Sequence, residues 1–393
     1  MPKYDKHTLP SVHRGILRAA VMLLGLEGHN AAKRFTADDL EIMIGEITAP
    51  DTPGDRLNGK GMHYYCAVRP DGAPMPKHPV LGGYCNGNNQ PAPSPLTMMD
   101  AEYRAALSLY RCGRRAAALK SLSRAAHMLA DICCPPHSCG MTYFSKYAPV
   151  HKRYESQAQQ VFWNGEDEIS ASYAWAKRAA GTVPYEAYRN ILRGTRPQED
   201  GRWQSGELTL LCNSLALSGA EEIPAAAGSS DEARAASITR RVLLSISNTA
   251  ALLAAFDRDA ADSRLRFWEE GRPYWLKGVG KPYAVSEAAL YLHYEDDGAF
   301  TLSSEDKKYL AVSKLGAVRL TWQPAGMTKR FRFGREPLLT LYPDGDPARL
   351  LIISGGKLYC TYRRLHFQTE IFTRQVSFVL VHQKPEGVRF LVK

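Results

Sequence analysis

An all-α N-terminal domain followed by an all-β C-terminal domain is the fold class this sequence predicts. Through the first two thirds, apolar residues recur at three- and four-residue spacing; after Asp257, short apolar runs broken by Gly, Pro and Asp take over. At 393 residues the chain is long enough for two domains with their own cores. The division expected is a helical domain over 1–258, a linker over 259–285 and a basic all-β domain over 286–393.

Helical spacing covers 13–26, 37–47, 95–111, 114–132, 154–164, 168–180, 185–193 and 234–258. Ser94 ahead of Pro95, and Asp167 ahead of SASYAWAKRAA, are start signals. Residues 64–94 repeat Pro, Gly and Asn without a period, over a length that suits a functional rim better than a passive connection. SGAEEIPAAAGSSD at 218–231 reads as an exposed loop, and FWEEGRPYWLKGVGKPY as a linker. Beyond it, ALYLHY, KYLAVSK, AVRLTW, KRFRF, LLTLY, RLLIIS, KLYCTYR, VSFVLVHQ and VRFLVK read as strands. Three stretches, beginning FTLSSEDKK, LLTLYPDGD and FVLVHQKPE, share a strand–turn–strand outline, so the β-domain is expected to be a sandwich or β-trefoil-like, with a third copy that stops after two strands.

Net charge is +10, and 299–393 holds 16 Lys plus Arg against 7 Asp plus Glu, a local excess of +9. A basic β-domain of this kind seeks an anionic surface, whether lipid headgroups or a glycan, and truncation after about residue 285 is expected to leave hydrolysis of a soluble substrate intact. No obligate protein partner is evident. No apolar run is long enough to span a bilayer, and the run from Gly15 to Leu26 lacks a signal-peptide cleavage site. Eight cysteines mildly favour an oxidising compartment, with Cys66 and Cys85 placed to close the Pro/Gly-rich loop.

The chemistry concentrates in 29 residues that hold His127, Asp131, His137, His151 and Glu155. His127 and Asp131 are four apart, as are His151 and Glu155, so on helices each pair projects from one face and can share an ion. His137 lies between them in CCPPHSCG, read as a polar loop. Imidazole nitrogen and carboxylate oxygen together suit zinc. Upstream, Asp51 and His63 bracket DTPGDRLNGKGMH, and His13 opens the apolar run HRGILRAAVMLLG.

The pattern H-x3-D-x5-H-x13-H-x3-E, with the aspartate and histidine before it and the histidine that begins an apolar helix, resembles the zinc-dependent phospholipase C family of secreted bacterial phosphatidylcholine-hydrolysing enzymes, which includes clostridial alpha-toxin. It covers roughly residues 1–160. The resemblance implies a helical phospholipase C or P1 nuclease-like fold and two or three zinc ions. It implies that His63, His127 and Asp131 hold one ion, and His137, His151 and Glu155 a second. His13, a bridging Asp131 and the chain terminus would hold a third, while Asp51 orients or deprotonates water. Tyr64 and Tyr65, directly after His63, stand where they could stack on a quaternary ammonium headgroup or simply pack. Family members begin with a tryptophan that binds the third ion; this chain begins MPKYDKH, which suggests a secreted protein whose leader was replaced by an initiating Met, with a cytoplasmic location as the alternative. The expected activity is hydrolysis of phospholipid to a phosphorylated headgroup and diacylglycerol. Two alternatives stand beside it: an S1/P1-type zinc nuclease, and a non-enzymatic glycan- or membrane-binding protein.

Overall fold

The computed structural model describes residues 11–58, 62–64, 84–85, 91–92, 94–111, 113–141, 147–192, 196–197, 203–204, 207–227, 230–262, 270–278, 282–295, 299–336, 338–344, 349–354, 356–362, 378–381 and 383–392. Ser11 starts α1 (Val12–Leu26) by accepting a hydrogen bond from the His13 backbone N–H, which puts the first candidate ligand in the first helical turn. A capping box between Thr36 and Asp39 opens α2 (Ala37–Glu46). After the short pair β1 (Tyr84–Cys85) and β2 (Pro91–Ala92), α3 (Pro95–Arg111) and α4 (Arg115–Cys133) form a helical hairpin. From Ala117 to Cys133 every residue of α4 except Lys120 and Arg124 is buried. A helix covered all round belongs in a core, and this one carries His127 and Asp131 into it.

The CCPPHSCG segment is no polar loop: Pro135–Ser138 form a buried helical turn, α5. Next come α6 (Ala148–Trp163) and α7 (Glu168–Ala179), the latter capped by Asp167, then the short pair β3 (Arg196–Pro197) and β4 (Trp203–Gln204). α8 (Glu207–Glu221), α9 (Ile223–Ala227) and the long α10 (Asp231–Ala261) finish the helical part. Residues 218–231 therefore include helix where a loop was expected. Gly219 lies inside α8 because that helix presses against α5, where a Cβ would meet Ser138 Oγ at 2.5 Å, and Pro224 sits at the start of α9, where its missing N–H costs nothing. The expected helix over 185–193 is only a 3-10 turn, Tyr185–Tyr188, which offers one buried side chain to pack.

Gly15 shows how tightly α1 is seated. A Cβ there would stand 2.2 Å from Cε1 of Phe162 and 2.9 Å from Cη2 of Trp163, so α6 packs directly on the backbone of the turn that holds His13. Gly15→Ala is expected to cost about 1–3 kcal/mol in urea unfolding, the usual penalty for overfilling a core. An unchanged midpoint would mean the Phe162 ring steps aside freely.

The β-domain is built from β5 (Pro273–Gly278), β6 (Tyr283–Ser286), β7 (Leu290–Tyr294), β8 (Phe300–Ser304), β9 (Tyr309–Ser313), β10 (Val318–Thr321), β11 (Met327–Thr328), β12 (Arg330–Glu336), β13 (Leu338–Pro343), β14 (Arg349–Ser354), β15 (Lys357–Tyr362), β16 (Phe378–Val381) and β17 (Arg389–Val392). Antiparallel pairings run β5–β7–β8–β12–β13–β16 and return to β5, a closed ring. Between ring strands the chain makes excursions: β6 after β5, the hairpin β9–β10 after β8, and the hairpin β14–β15 after β13. β17 pairs in parallel with β6, and β10, β15 and β17 meet one another. A ring capped by three two-stranded excursions is the β-trefoil arrangement.

Two of its repeats begin where the sequence placed a copy, at Phe300 and Leu338, and one does not. The first is 273–294, which begins inside the segment read as a linker; the second is 300–336; the third is 338–381. The stretch beginning FVLVHQKPE is not a truncated copy, because β16 closes the third repeat while β17 returns to supply the first with a partner for β6.

The two cores reach into each other. Leu109, Ala117 and Ala118, from the α3–α4 hairpin, belong to the apolar cluster of the trefoil, with Leu276, Phe300 and Phe331. In return Ile352 of β14 lies in the helical cluster, and Tyr359 of β15 packs against it. Arg114, between α3 and α4, donates to the Tyr294 carbonyl, and α3 lies against β12.

Candidate metal centre

The ligand-type residues come from six separate pieces of chain. His13 begins α1, Asp51 ends a 3-10 turn (Ala49–Asp51), and His63 lies in a turn. His127 and Asp131 sit one turn apart on α4, His137 on α5, His151 and Glu155 one turn apart on α6. Three groups result, each with ligand atoms within 4.8 Å of one another: His13, Asp51 and His127; His63, His127 and Asp131; His137, His151 and Glu155. Among the described residues no cysteine joins them. The helix α6 begins at Ala148, six residues before the expected start, which is what makes His151 and Glu155 a one-face pair.

The imidazoles are oriented from behind. His127 Nδ1 donates to the Ile47 carbonyl at 2.8 Å, His137 Nδ1 to the His63 carbonyl at 2.7 Å, and His151 Nδ1 to the Met141 carbonyl at 2.7 Å. A carbonyl only accepts, so Nδ1 carries the hydrogen in each ring and Nε2 keeps its lone pair for the interior. His63 is held the other way round: Nε2 donates to the Pro50 carbonyl at 3.2 Å, and Nδ1 stands 2.7 Å from Asp131 Oδ2. Arg241 of α10 braces the arrangement, donating to the Cys133 carbonyl at the end of α4. Backbone carbonyls behind metal-type histidines are a recurrent orienting device.

In front, the free nitrogens and oxygens crowd together. His137 Nε2 and His151 Nε2 are 3.1 Å apart, and Glu155 Oε1 lies 3.3 Å from the first and 2.9 Å from the second. His127 Nε2 is 3.4 Å from His63 Nδ1, 3.4 Å from Asp131 Oδ2 and 3.5 Å from Asp51 Oδ1. Ligand atoms about 2.0–2.1 Å from one tetrahedral cation stand about 3.3 Å from each other. Two imidazole lone pairs facing at 3.1 Å repel unless a positive charge lies between them. The donor set therefore fits divalent cations.

His127 belongs to two of these groups, and Asp131 lies against imidazoles of all three. Oδ2 serves His63 and His127, while Oδ1 lies 3.6 Å from His13 Nε2 and 3.7 Å from His137 Nδ1. His13 stacks on His127 with centroids 4.0 Å apart, and its buried Nδ1 has no hydrogen-bond partner among the described residues. Asp51, half exposed, lies at the open edge, within reach of His127 and 3.8 Å from His63 Nδ1.

Charge state follows from this crowding. Burial alone would depress the His127 imidazolium, but Asp131 and Asp51 outweigh it and push its pKa up to about 10. His137 is likewise penalised by burial and raised to about 9 by Asp131 and Glu155. Burial, with the neighbouring His127 charge, lowers His13 to about 4. Asp131 and Glu155 pay for burial yet stay well below the usual carboxylate range, held by the surrounding imidazoles. Without metal, two protons on His127 and His137 thus stand in for cations.

Metal must displace them. Adding zinc to the metal-free protein at pH 7 is expected to release about two protons per chain, read as a pH-stat titration or from binding heats in buffers of different ionisation enthalpy. Release should fade as pH rises through about 9 to 10, where these imidazoles are already neutral. The sign for folding is the reverse: the raised pKa values stabilise the metal-free fold fully below the unfolded value near 6.5, and that contribution is lost as pH climbs through about 9 to 10. Uptake of zinc without proton release would contradict this charge assignment.

No protein-family profile and no curated protein matches this sequence. Among solved structures, alpha-toxin from Clostridium absonum aligns at 13% identity over 89% of this chain and 97% of that one, with a TM-score of 0.44. Clostridium perfringens alpha-toxin from an avian strain aligns at 13% identity over 96% and 98%, also at 0.44.

Of the residues singled out in the sequence, Tyr64 stacks face to face on His137, centroids 5.2 Å apart, and is buried. Tyr65, the N-terminal amine, most of 64–94 and the Cys66–Cys85 bridge lie outside the described residues. What the sequence did not show is the pairing of Asp51 with His13. They are 38 positions apart on different elements, and no spacing rule links a turn to the start of a helix.

Proposed function

We propose that this chain is a zinc-dependent phosphodiester hydrolase, a phospholipase C that releases a phosphorylated headgroup and diacylglycerol from phospholipid. The supporting observation is the face-to-face approach of His137 Nε2, His151 Nε2 and Glu155 Oε1 beside a second set joined through Asp131, because such polynuclear sites suit phosphoryl chemistry. Bound zinc supplies Lewis acidity, placing positive charge against phosphate oxygens and acidifying water towards a pKa of about 7. The chain's own residues do the rest. The carbonyls of Ile47, His63 and Met141 keep three imidazoles aimed inward, and the Asp131 carboxylate lies among His13, His63, His127 and His137. Asp51 is penalised by burial, yet the charge and hydrogen bond of His127 together with His13 hold it below the usual carboxylate range, so it is ionised at neutral pH and exposed enough to take a proton from an attacking water.

Phospholipid is favoured over nucleic acid by the H-x13-H-x3-E spacing and by the added basic β-domain, which suits an anionic membrane surface and a secreted enzyme. No described helix is long and apolar enough to cross a membrane. The test is zinc-loaded protein offered short-chain phosphatidylcholine and single-stranded DNA, with chelated protein as control. Zinc-dependent release of phosphocholine is expected. Nucleotide release alone would move the chain to the nuclease reading, and inertness of the metal-loaded protein towards both would overturn hydrolysis.

A further inference from the structure

Residues 49–58 carry Asp51 and, through the Pro50 carbonyl, hold His63, yet beyond the 3-10 turn Ala49–Asp51 they have no regular structure of their own. Their position is set from outside by two arginine forks. Arg124 of α4 grips both oxygens of Asp55 at 2.9 and 2.8 Å and also meets Glu46 at 2.5 Å. Arg56 grips both oxygens of Glu102, on α3, at 2.5 and 2.8 Å. The Arg56 and Glu102 side chains are only 12% and 4% exposed.

The second fork stands at the domain junction. α3 lies against β12, whose Arg332 is buried, bonds Asp344 at 2.6 Å and adds its charge to the field at Glu102. Glu102 thus holds a guanidinium from the segment that carries Asp51, on a helix that also packs against the trefoil strand carrying Arg332. A bidentate fork fixes the plane and register of both partners, which a single contact does not.

We propose that Glu102 is a positioning residue for the metal centre: gripping Arg56 from a helix that packs against β12, it fixes where segment 49–58 places Asp51 and the Pro50 carbonyl, so docking of the β-trefoil on α3 sets the metal affinity of the group containing Asp51. This rests on the metal-centre assignment and is independent of the substrate. Removing the Glu102 charge takes the bidentate carboxylate from a buried Arg56, and with that fork gone the register of the segment is no longer fixed. The group His137, His151 and Glu155 has no ligand on that segment and stays in place.

The experiment is zinc titration of full-length metal-free Glu102→Gln, followed through histidine ring NMR signals so that each group reports separately, with amide exchange over 49–58. Affinity at the Asp51 side is expected to fall about 10- to 100-fold, the range for partners that orient ligands, while the Glu155 group changes less than about threefold and amides of 50–58 exchange faster. Arg332→Met should reproduce the pattern more weakly. Arg56→Lys should match Glu102→Gln, and the double variant should add nothing, since both break one link. Unchanged affinities, or an equal loss at both groups that tracks a lower unfolding free energy, would overturn the proposal. Failure of the wild-type chain to take up zinc at all would instead sink the metal-centre assignment beneath it.

Discussion

Asp131→Asn is expected to strip metal from more than one group and to be the most damaging single change in the helical domain. The carboxylate is 2% exposed and faces His13, His63, His127 and His137. Without metal, asparagine leaves the imidazoliums of that cluster buried without their counter-charge, at a cost of about 3–5 kcal/mol. With metal present, a neutral bridging group holds two cations poorly, and affinity should drop by more than the 100-fold or so seen for outer partners. Asp51→Asn is expected to behave differently: metal content falls by one ion at most, while turnover falls about 10²- to 10⁴-fold if the carboxylate takes the proton. Metal stoichiometry by mass spectrometry on both variants decides this, and equal depletion would reverse the two roles.

Removing the trefoil is expected to destabilise the helical part rather than leave it intact. A chain ending at residue 262 exposes Leu109, Ala117 and Ala118, loses the Tyr294 carbonyl for Arg114 and uncovers the α3 face against β12. At roughly 1.5–3 kcal/mol for a large apolar side chain, and less for alanine, the total is on the order of 5 kcal/mol, comparable with the whole stability of many domains. Urea unfolding of the shortened chain against the full one measures it. A shortened chain that unfolds at the full chain's midpoint would show the interface to be incidental, and would restore the separable tail expected from charge alone. Cutting after 285 is worse still, because it splits the first repeat within β6 and removes β7.

The candidate ligand pairs were legible because helical spacing is a local rule: His127 with Asp131, and His151 with Glu155, lie one turn apart whatever the rest of the chain does. The grouping across elements was not, since His13 and Asp51 meet only through the packing of α1 against α4. In the β-domain, strands with continuous apolar runs such as RLLIIS announced themselves. β5 did not, because Pro273 and Gly278 at its ends, and the glycines after it, read as breaks when they mark only its limits. Gly219 and Pro224 misled in the same way, for breakers say where a chain can bend and close contacts decide whether it does. The buried face of CCPPHSCG was hidden by its polar letters, which tertiary hydrogen bonds such as Ser138 to the Ile132 carbonyl satisfy.

The parallel pairing of β17 with β6 has a consequence for the order of events during synthesis. Arg389 pairs with Tyr283 across more than a hundred residues of sequence, and the contact cannot form until translation has passed residue 392 and that segment has left the ribosome. The helical ligands are all made long before. For the time needed to synthesise the intervening residues, roughly 5–20 s at 5–20 residues per second, the nascent chain carries its candidate ligands while the first repeat still presents an unpaired strand edge to the cell.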